Sequence, residues 1–209
     1  MPKTGIIALS SVAVMLPALA QATDVIKLAE PDFTFEGTLM TALKNRHSVR
    51  EYAAKDLTGA DLSNLLWATA GVNRPDGRRT AATALNLQEI GLYVVTAKGA
   101  FSYGHAEHEL VKLTDKNLMP LVAMQQDFVK AASLALVYVG DLTKLPGDRG
   151  AQMAAVDAGI AVQNALLYCS AANLACVPRA TMNVDGLAQA LSLPTGSVPI
   201  MNVVVGMPK

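Results

Sequence analysis

Apolar and polar positions divide the chain into alternating helical and extended stretches. Leu39, Ala42 and Leu43 recur at helical spacing and predict a short helix over 38–44. Leu62, Leu65 and Leu66 do the same for a second helix over 59–70, entered through Asp56-Leu57-Thr58. Asn73-Arg74-Pro75-Asp76-Gly77 has the composition of a turn, and the polar run 78–88 leads into a strand over 91–96. Lys98-Gly99 suits a hairpin turn, with 100–103 pairing back and 109–113 adding another strand. Residues 118–131 predict a helix. The unbroken apolar run Leu134 to Val139 reads as a central strand covered on both faces. The longest helix, over 151–172, is apolar around most of its circumference, so it lies at a domain centre or against another subunit. A small helix over 184–191 and a strand over 199–205 complete one α+β domain.

With 209 residues, 52% of them hydrophobic, the chain suits one core rather than two. Lys+Arg and Asp+Glu are equal at 17, so no global field draws it to nucleic acid. Any anion it binds must be gripped by a local cluster of cations. Residues 1–20 read as an export signal: Lys3, an uncharged apolar stretch from Gly5 to Leu19, then Ala18-Leu19-Ala20 as a small-x-small cleavage pattern. The stretch is too short to favour a membrane span. A mature chain of 21–209, periplasmic and without stable membrane association, is the expectation.

The local cation cluster is Arg46-His47-Ser48-Val49-Arg50. In an extended segment alternate side chains share a face, which would bring Arg46, Ser48 and Arg50 together and turn His47 and Val49 away. Two guanidiniums and a hydroxyl form an anion clamp suited to phosphate; a helix-end loop with solvated arginines is the plainer reading of the same residues. His105 and His108 read as part of a solvated turn, with no third ligand to suggest a metal site. Asp157, early in the long helix, is accounted for by the helix dipole. Cys169 and Cys176 would stand roughly 10 Å apart if both were helical, which favours two buried thiols over a disulfide. No dinucleotide-binding glycine motif, phosphate loop or nucleophile elbow is present.

Leu43 to Tyr52, "LKNRHSVREY", resembles the N-terminal motif of the FMN-dependent nitroreductase family, a helix running into R-x-S-x-R and an aromatic residue. The likeness continues in order. "LSNLLWATAGVN" at 62–73 is similar to the following helix, and "RTAATALNLQ" at 79–88 resembles the R-T-x-P-S-A-x-N-x-Q loop. Residues 158–174 resemble the long central helix, and 203–208 the terminal V-G-x-P. Small single-domain SagB-like members look most similar. The resemblance implies a mostly antiparallel sheet flanked by helices, a buried central helix and an intertwined homodimer with flavin at the interface. It also implies FMN-phosphate binding by Arg46 and Ser48, Arg50 near the pyrimidine edge and Asn86 on the polar edge. Thr83 and Ala84 would add backbone groups from the partner. His47 is an open candidate donor, 175–179 with Arg179 would line the ring, and Lys209 would be a further phosphate-binding cation. No side chain is implied as acid or base. The implied activity passes electrons from NAD(P)H through FMN to a nitroaromatic, quinone or similar small acceptor. An SagB-like dehydrogenase acting on another substrate and a non-catalytic exported flavin-binding dimer are the alternatives. Ala82 and Thr83 depart from the family's Pro-Ser, and Asn173-Leu174-Ala175 from its Gly-Leu-Gly.

Overall fold

The computed structural model describes residues 24–145 and 147–209; the export-signal expectation falls on residues outside these. Seven strands form one sheet: β1 (Val25–Lys27), β2 (Ile90–Thr96), β3 (Gly99–Gly104), β4 (Glu109–Thr114), β5 (Leu134–Asp141), β6 (Ala175–Arg179) and β7 (Ser197–Gly206). Their spatial order is β1-β4-β3-β2-β5-β7-β6, and every pairing is antiparallel. The helices are α1 (Leu39–Asn45), α2 (Gly59–Ala70), α3 (Met119–Ala123), α4 (Gly150–Ala171) and α5 (Val184–Ala190).

β5 shows why the sheet is central. Leu134, Leu136 and Tyr138 enter the core beneath α2 and α4, while Ala135, Val137 and Val139 enter a second core shared with α3 and α5. Side chains alternate across the pleat, so a strand buried on both faces must be apolar at every position. α4 meets the first core through Ala154, Ala158, Ala161, Ala165, Leu166 and Cys169. Thr58 and Asp61 close a capping box that starts α2 at its expected residue.

Three sequence expectations change. The helix over 118–131 is broken: α3 stops at Ala123, Met124 adopts φ 52°, and a short 3-10 turn over Asp127–Ala131 follows. A residue whose backbone turns into the left-handed region cannot continue an α-helix. The apolar stripe of α1 does not point inward as a unit, because Ala42 is buried but Leu39, Met40 and Leu43 are exposed. The turn carrying His105 and His108 is not a solvated one. His105 Nδ1 lies 2.8 Å from the carbonyl oxygen of Ala70, and His108 Nε2 lies 2.8 Å from Ser63 Oγ. Burial is the first cause lowering both imidazoles, to about 4 for His105. These histidines hold the β3–β4 turn against α2 and the arm before it. No described helix is long and apolar enough to cross a membrane.

Candidate active site

A cavity of about 290 Å³ opens where the end of α1, the end of α4 and the start of β6 converge. Arg46 ends α1, donating its backbone N–H to the Ala42 carbonyl at 2.9 Å. The chain then runs alongside β6, with Val49 N–H donating to the Cys176 carbonyl at 2.9 Å. Beyond β7 the chain passes the same segment, through a bridge between Tyr52 and Pro208 and the bond from Ala53 N–H to the Met207 carbonyl at 2.9 Å. Gly206 permits that closeness: a Cβ there would stand 2.7 Å from the Tyr52 ring. Ser170 Oγ donates to the Ala42 carbonyl at 2.7 Å, fixing α1 against α4.

Arg46 and His47 line the cavity, as do Asn173, Leu174, Ala175 and Cys176. Val49, Leu166 and Cys169 contribute apolar wall, and Pro208 borders it beside Lys209. This differs from the alternating extended pattern. Arg46, His47 and Val49 line the cavity together, whereas Ser48 and Arg50 are exposed outside its lining. The local reason is the α1 C-terminus: Arg46 still carries a helix-end bond and His47 Nδ1 lies 2.7 Å from the Asn45 carbonyl oxygen, so the segment turns before it extends.

Asn173 takes φ 53° and closes α4, with Leu174 N–H returning to the Cys169 carbonyl at 2.8 Å. Asparagine tolerates this left-handed conformation, so the turn forms without the family's glycine. The reversal also removes the premise of the separation inferred for Cys169 and Cys176, because Cys176 lies in a strand and not in a helix. Both are free and buried, as expected. Interaction with Cys169, followed by the charge of Arg46, holds the Cys176 thiol below its usual range against the opposing effect of burial. Interaction with Cys176 and burial push Cys169 well up.

Arg179 is elsewhere. Its buried guanidinium donates to Gln126 Oε1 at 2.9 Å, Asn202 Oδ1 at 2.9 Å and the Val122 carbonyl at 3.0 Å, on the face covered by α3. β6 alternation turns it away from Cys176, so only the start of 175–179 reaches the cavity.

Thr83, Ala84 and Asn86 do not line this cavity; they form a projecting loop. Leu85, Asn86 and Gln88 have φ of 53°, 55° and 50°, and Leu85 is 83% exposed. Ala84 N–H donates to Asp157 Oδ2 at 2.7 Å, Gln88 N–H to Thr83 Oγ1 at 2.9 Å. Asp157 is the eighth residue of α4 and buried, so its role is to anchor this loop and not to complement the helix dipole. Beside it Glu89 is also buried. Neither Glu89 oxygen makes a well-formed hydrogen bond, and burial and then the neighbouring Asp157 raise its carboxyl to about 7. The sequence offered no sign of this pair, whose members are far apart along the chain.

A model of the nitroreductase family matches residues 43–207. A protein of Methanocaldococcus jannaschii, provisionally named a nitroreductase, is 28% identical over 166 residues, spanning 74% of this chain and 83% of its own. A crystal structure from Ralstonia eutropha, provisionally described as a nitroreductase, matches with TM-score 0.83 and 35% identity over 97% of this chain and 99% of that one. A similarly described structure from Anabaena variabilis shares the fold, with TM-score 0.77 and 20% identity over 96% of this chain, which spans 45% of that longer protein. The chain belongs to the nitroreductase family and is an oxidoreductase.

Proposed function

We propose that the Arg46 cavity binds FMN at the interface of a homodimer, and that the enzyme passes electrons from NAD(P)H to a nitroaromatic, quinone or similar small acceptor. The observation carrying this reading is the pairing of a cation with an apolar wall: Arg46 lines one cavity together with Leu174, Ala175 and Cys176. Phosphate and an aromatic ring need those two surfaces side by side. Arg46 would hold the phosphate, with Ser48 and Lys209 flanking it from exposed positions and Arg50 nearer the ring's pyrimidine edge. When bound, FMN supplies the two-electron redox chemistry, and the protein supplies position, charge and exclusion of water.

What one subunit leaves open supports the dimer. A cavity of about 290 Å³ falls just below the roughly 300–1,000 Å³ range of cofactor pockets. Meanwhile the loop with Thr83, Ala84 and Asn86 projects elsewhere, available to a second copy. Leu39, Met40 and Leu43 on α1, Val156 and Ile160 on α4, and Leu85 at the loop tip are exposed apolar side chains. Burying them between two copies removes that surface from water.

The test is titration of the purified protein with FMN, followed by anaerobic addition of NADPH. Retained flavin that bleaches supports the assignment; bound flavin that stays oxidised points to another donor. A protein that binds no FMN overturns it. Arg46→Ala should weaken FMN affinity by roughly tenfold or more, the equivalent of one charge-assisted hydrogen bond. We also propose export directed by residues 1–20, to be checked by fractionating cells that produce the full chain and finding where the cleaved product resides.

A further inference from the structure

A second cavity, of about 370 Å³, opens where α2 begins on the sheet, and it shares no lining residue with the Arg46 cavity. Strand pairing explains its character. Residues opposite each other in antiparallel strands share a face, as do alternate residues of one strand. Val94 lies opposite Phe101, and Leu110 lies opposite both Ile26 and Tyr103, two residues beyond Phe101. Four strands therefore present Ile26, Val94, Phe101 and Leu110 together, and all four line the cavity with Leu28 and Leu62. Val94 and Leu110 are buried, but Leu28, Leu62 and Phe101 are only half-buried and Ile26 is 47% exposed, so the cavity is open to solvent. Its volume lies within the roughly 300–1,000 Å³ of small-molecule sites. The charged groups of the lining are Lys27 and Lys98; among the described residues no carboxylate lines it. Their partners, Glu109 and Asp56, stand outside the lining. The Lys98–Asp56 contact is 3.2 Å between side chains 84% and 74% exposed, a solvated pair that contributes little. Each ammonium carries three N–H donors, so both can serve a further anion.

We propose that this cavity binds a free medium-chain carboxylate, its alkyl chain against Leu28, Leu62 and Phe101 and its carboxylate at Lys27 and Lys98. Two features decide the class. An apolar lining open to water gains from covering by an apolar body, and the modest volume restricts that body to a short one. The two cations then sort amphiphiles by charge. They attract an anion, leave a neutral alcohol with the apolar contribution alone, and repel an alkylammonium. The long lysine stems suit this arrangement, since they lie along apolar surface while the charge stays in water. The site stands apart from the flavin assignment and does not depend on it.

The purified protein is titrated calorimetrically with hexanoate, octanoate and decanoate below their micelle concentrations, and with 1-octanol and octyltrimethylammonium. The expected result is one saturable site whose affinity rises roughly fifteenfold with each pair of methylenes that enters. Octanoate should bind more tightly than octanol, and octanol more tightly than octyltrimethylammonium. Lys27→Gln combined with Lys98→Gln should weaken octanoate roughly tenfold and leave octanol unchanged. Gly59→Phe should abolish binding, because Gly59 lines the cavity and a Cβ there meets no heavy atom within 4 Å, leaving room for the ring. If that variant fails to fold, nuclear Overhauser contacts from octanoate to Phe101 and Leu62 of the wild type take its place, and their absence counts against the site. The proposal is overturned if no carboxylate binds saturably, whether residues before β1 or a second copy fill the cavity. It is equally overturned if octyltrimethylammonium binds as tightly as octanoate, or if folded Gly59→Phe binds like wild type. No flavin enters this measurement, so its failure leaves the FMN assignment standing, and failure to bind FMN leaves the carboxylate site standing.

Discussion

Replacing Glu89 by Gln should stabilise the protein at alkaline pH and leave it nearly unchanged in acid. Glu89 is 2% exposed, its oxygens lack well-formed hydrogen bonds, and burial followed by Asp157 raises its carboxyl from 4.5 to about 7. In the unfolded chain the group releases its proton near 4.5. Below that pH both states are protonated, and the stability held by the protonated carboxyl is fully present. As pH rises through about 7 the folded protein must ionise a buried group beside a second carboxylate, and that stability is lost. At about 1.36 kcal/mol per pH unit, the interval from 4.5 to about 7 caps the loss near 3 kcal/mol. Lys144 opposes the effect and Asp157 shares in it, so about 2 kcal/mol is the working figure. Urea unfolding of wild type and Glu89→Gln at fixed protein concentration, from pH 4 to pH 8, isolates this contribution because other groups cancel in the difference. The variant should gain about 2 kcal/mol relative to wild type across that range. A difference that does not change with pH would refute the assignment of the proton to Glu89.

Asp157→Ala removes the acceptor for Ala84 N–H, and should speed hydrogen exchange at Ala84 and weaken FMN affinity on the order of tenfold. Unchanged exchange would show that the loop is held by other bonds. Arg179→Met leaves Asn202 and the Val122 carbonyl without their buried donor, and should cost about 1–3 kcal/mol in urea unfolding. Ile160→Glu places a charge on the exposed face of α4; sedimentation should show the proposed dimer replaced by monomer, and an unaltered species would place the interface elsewhere.

Much of the fold could be read from residue order because its strands and helices answer to local periodicity. β5 is apolar at successive positions, and α2 follows a capping box that Thr58 and Asp61 announce. β6 escaped because Ala175 to Arg179 follows the long helix after only a short turn and contains Pro178. The helix over 118–131 failed for a different reason: Met124 reverses the chain, and methionine carries no warning of positive φ. At the site, Arg46 was legible as a charge but its facing was not, since helix-end bonding at Arg46 and His47 displaces the simple alternation. Arg179 shows the limit most clearly. The resemblance sets it along the flavin ring with the rest of 175–179, yet its position in the β6 pleat commits it to Gln126 and Asn202.

The all-round apolar character of α4 left two readings open, a buried central helix or a helix against another subunit. The structure supports the first on one face, where four alanines let the helix approach the sheet closely, and leaves Val156 and Ile160 exposed on another. Asp157 connects these faces to the site. It lies buried between them, binds Ala84 N–H and adjoins Glu89, so whatever covers Val156 also bears on the loop carrying Thr83 and Asn86. In the proposed dimer that loop completes the partner's flavin cavity. Dimerisation and loop placement would then be one event, with buried Glu89 at the junction. The substitutions at Ala82 and Thr83 bear on this directly: a loop without the family's proline depends more on an anchor, and Asp157 supplies one at 2.7 Å. Flavin affinity should accordingly respond to Asp157→Ala and to the oligomeric state together, falling with both.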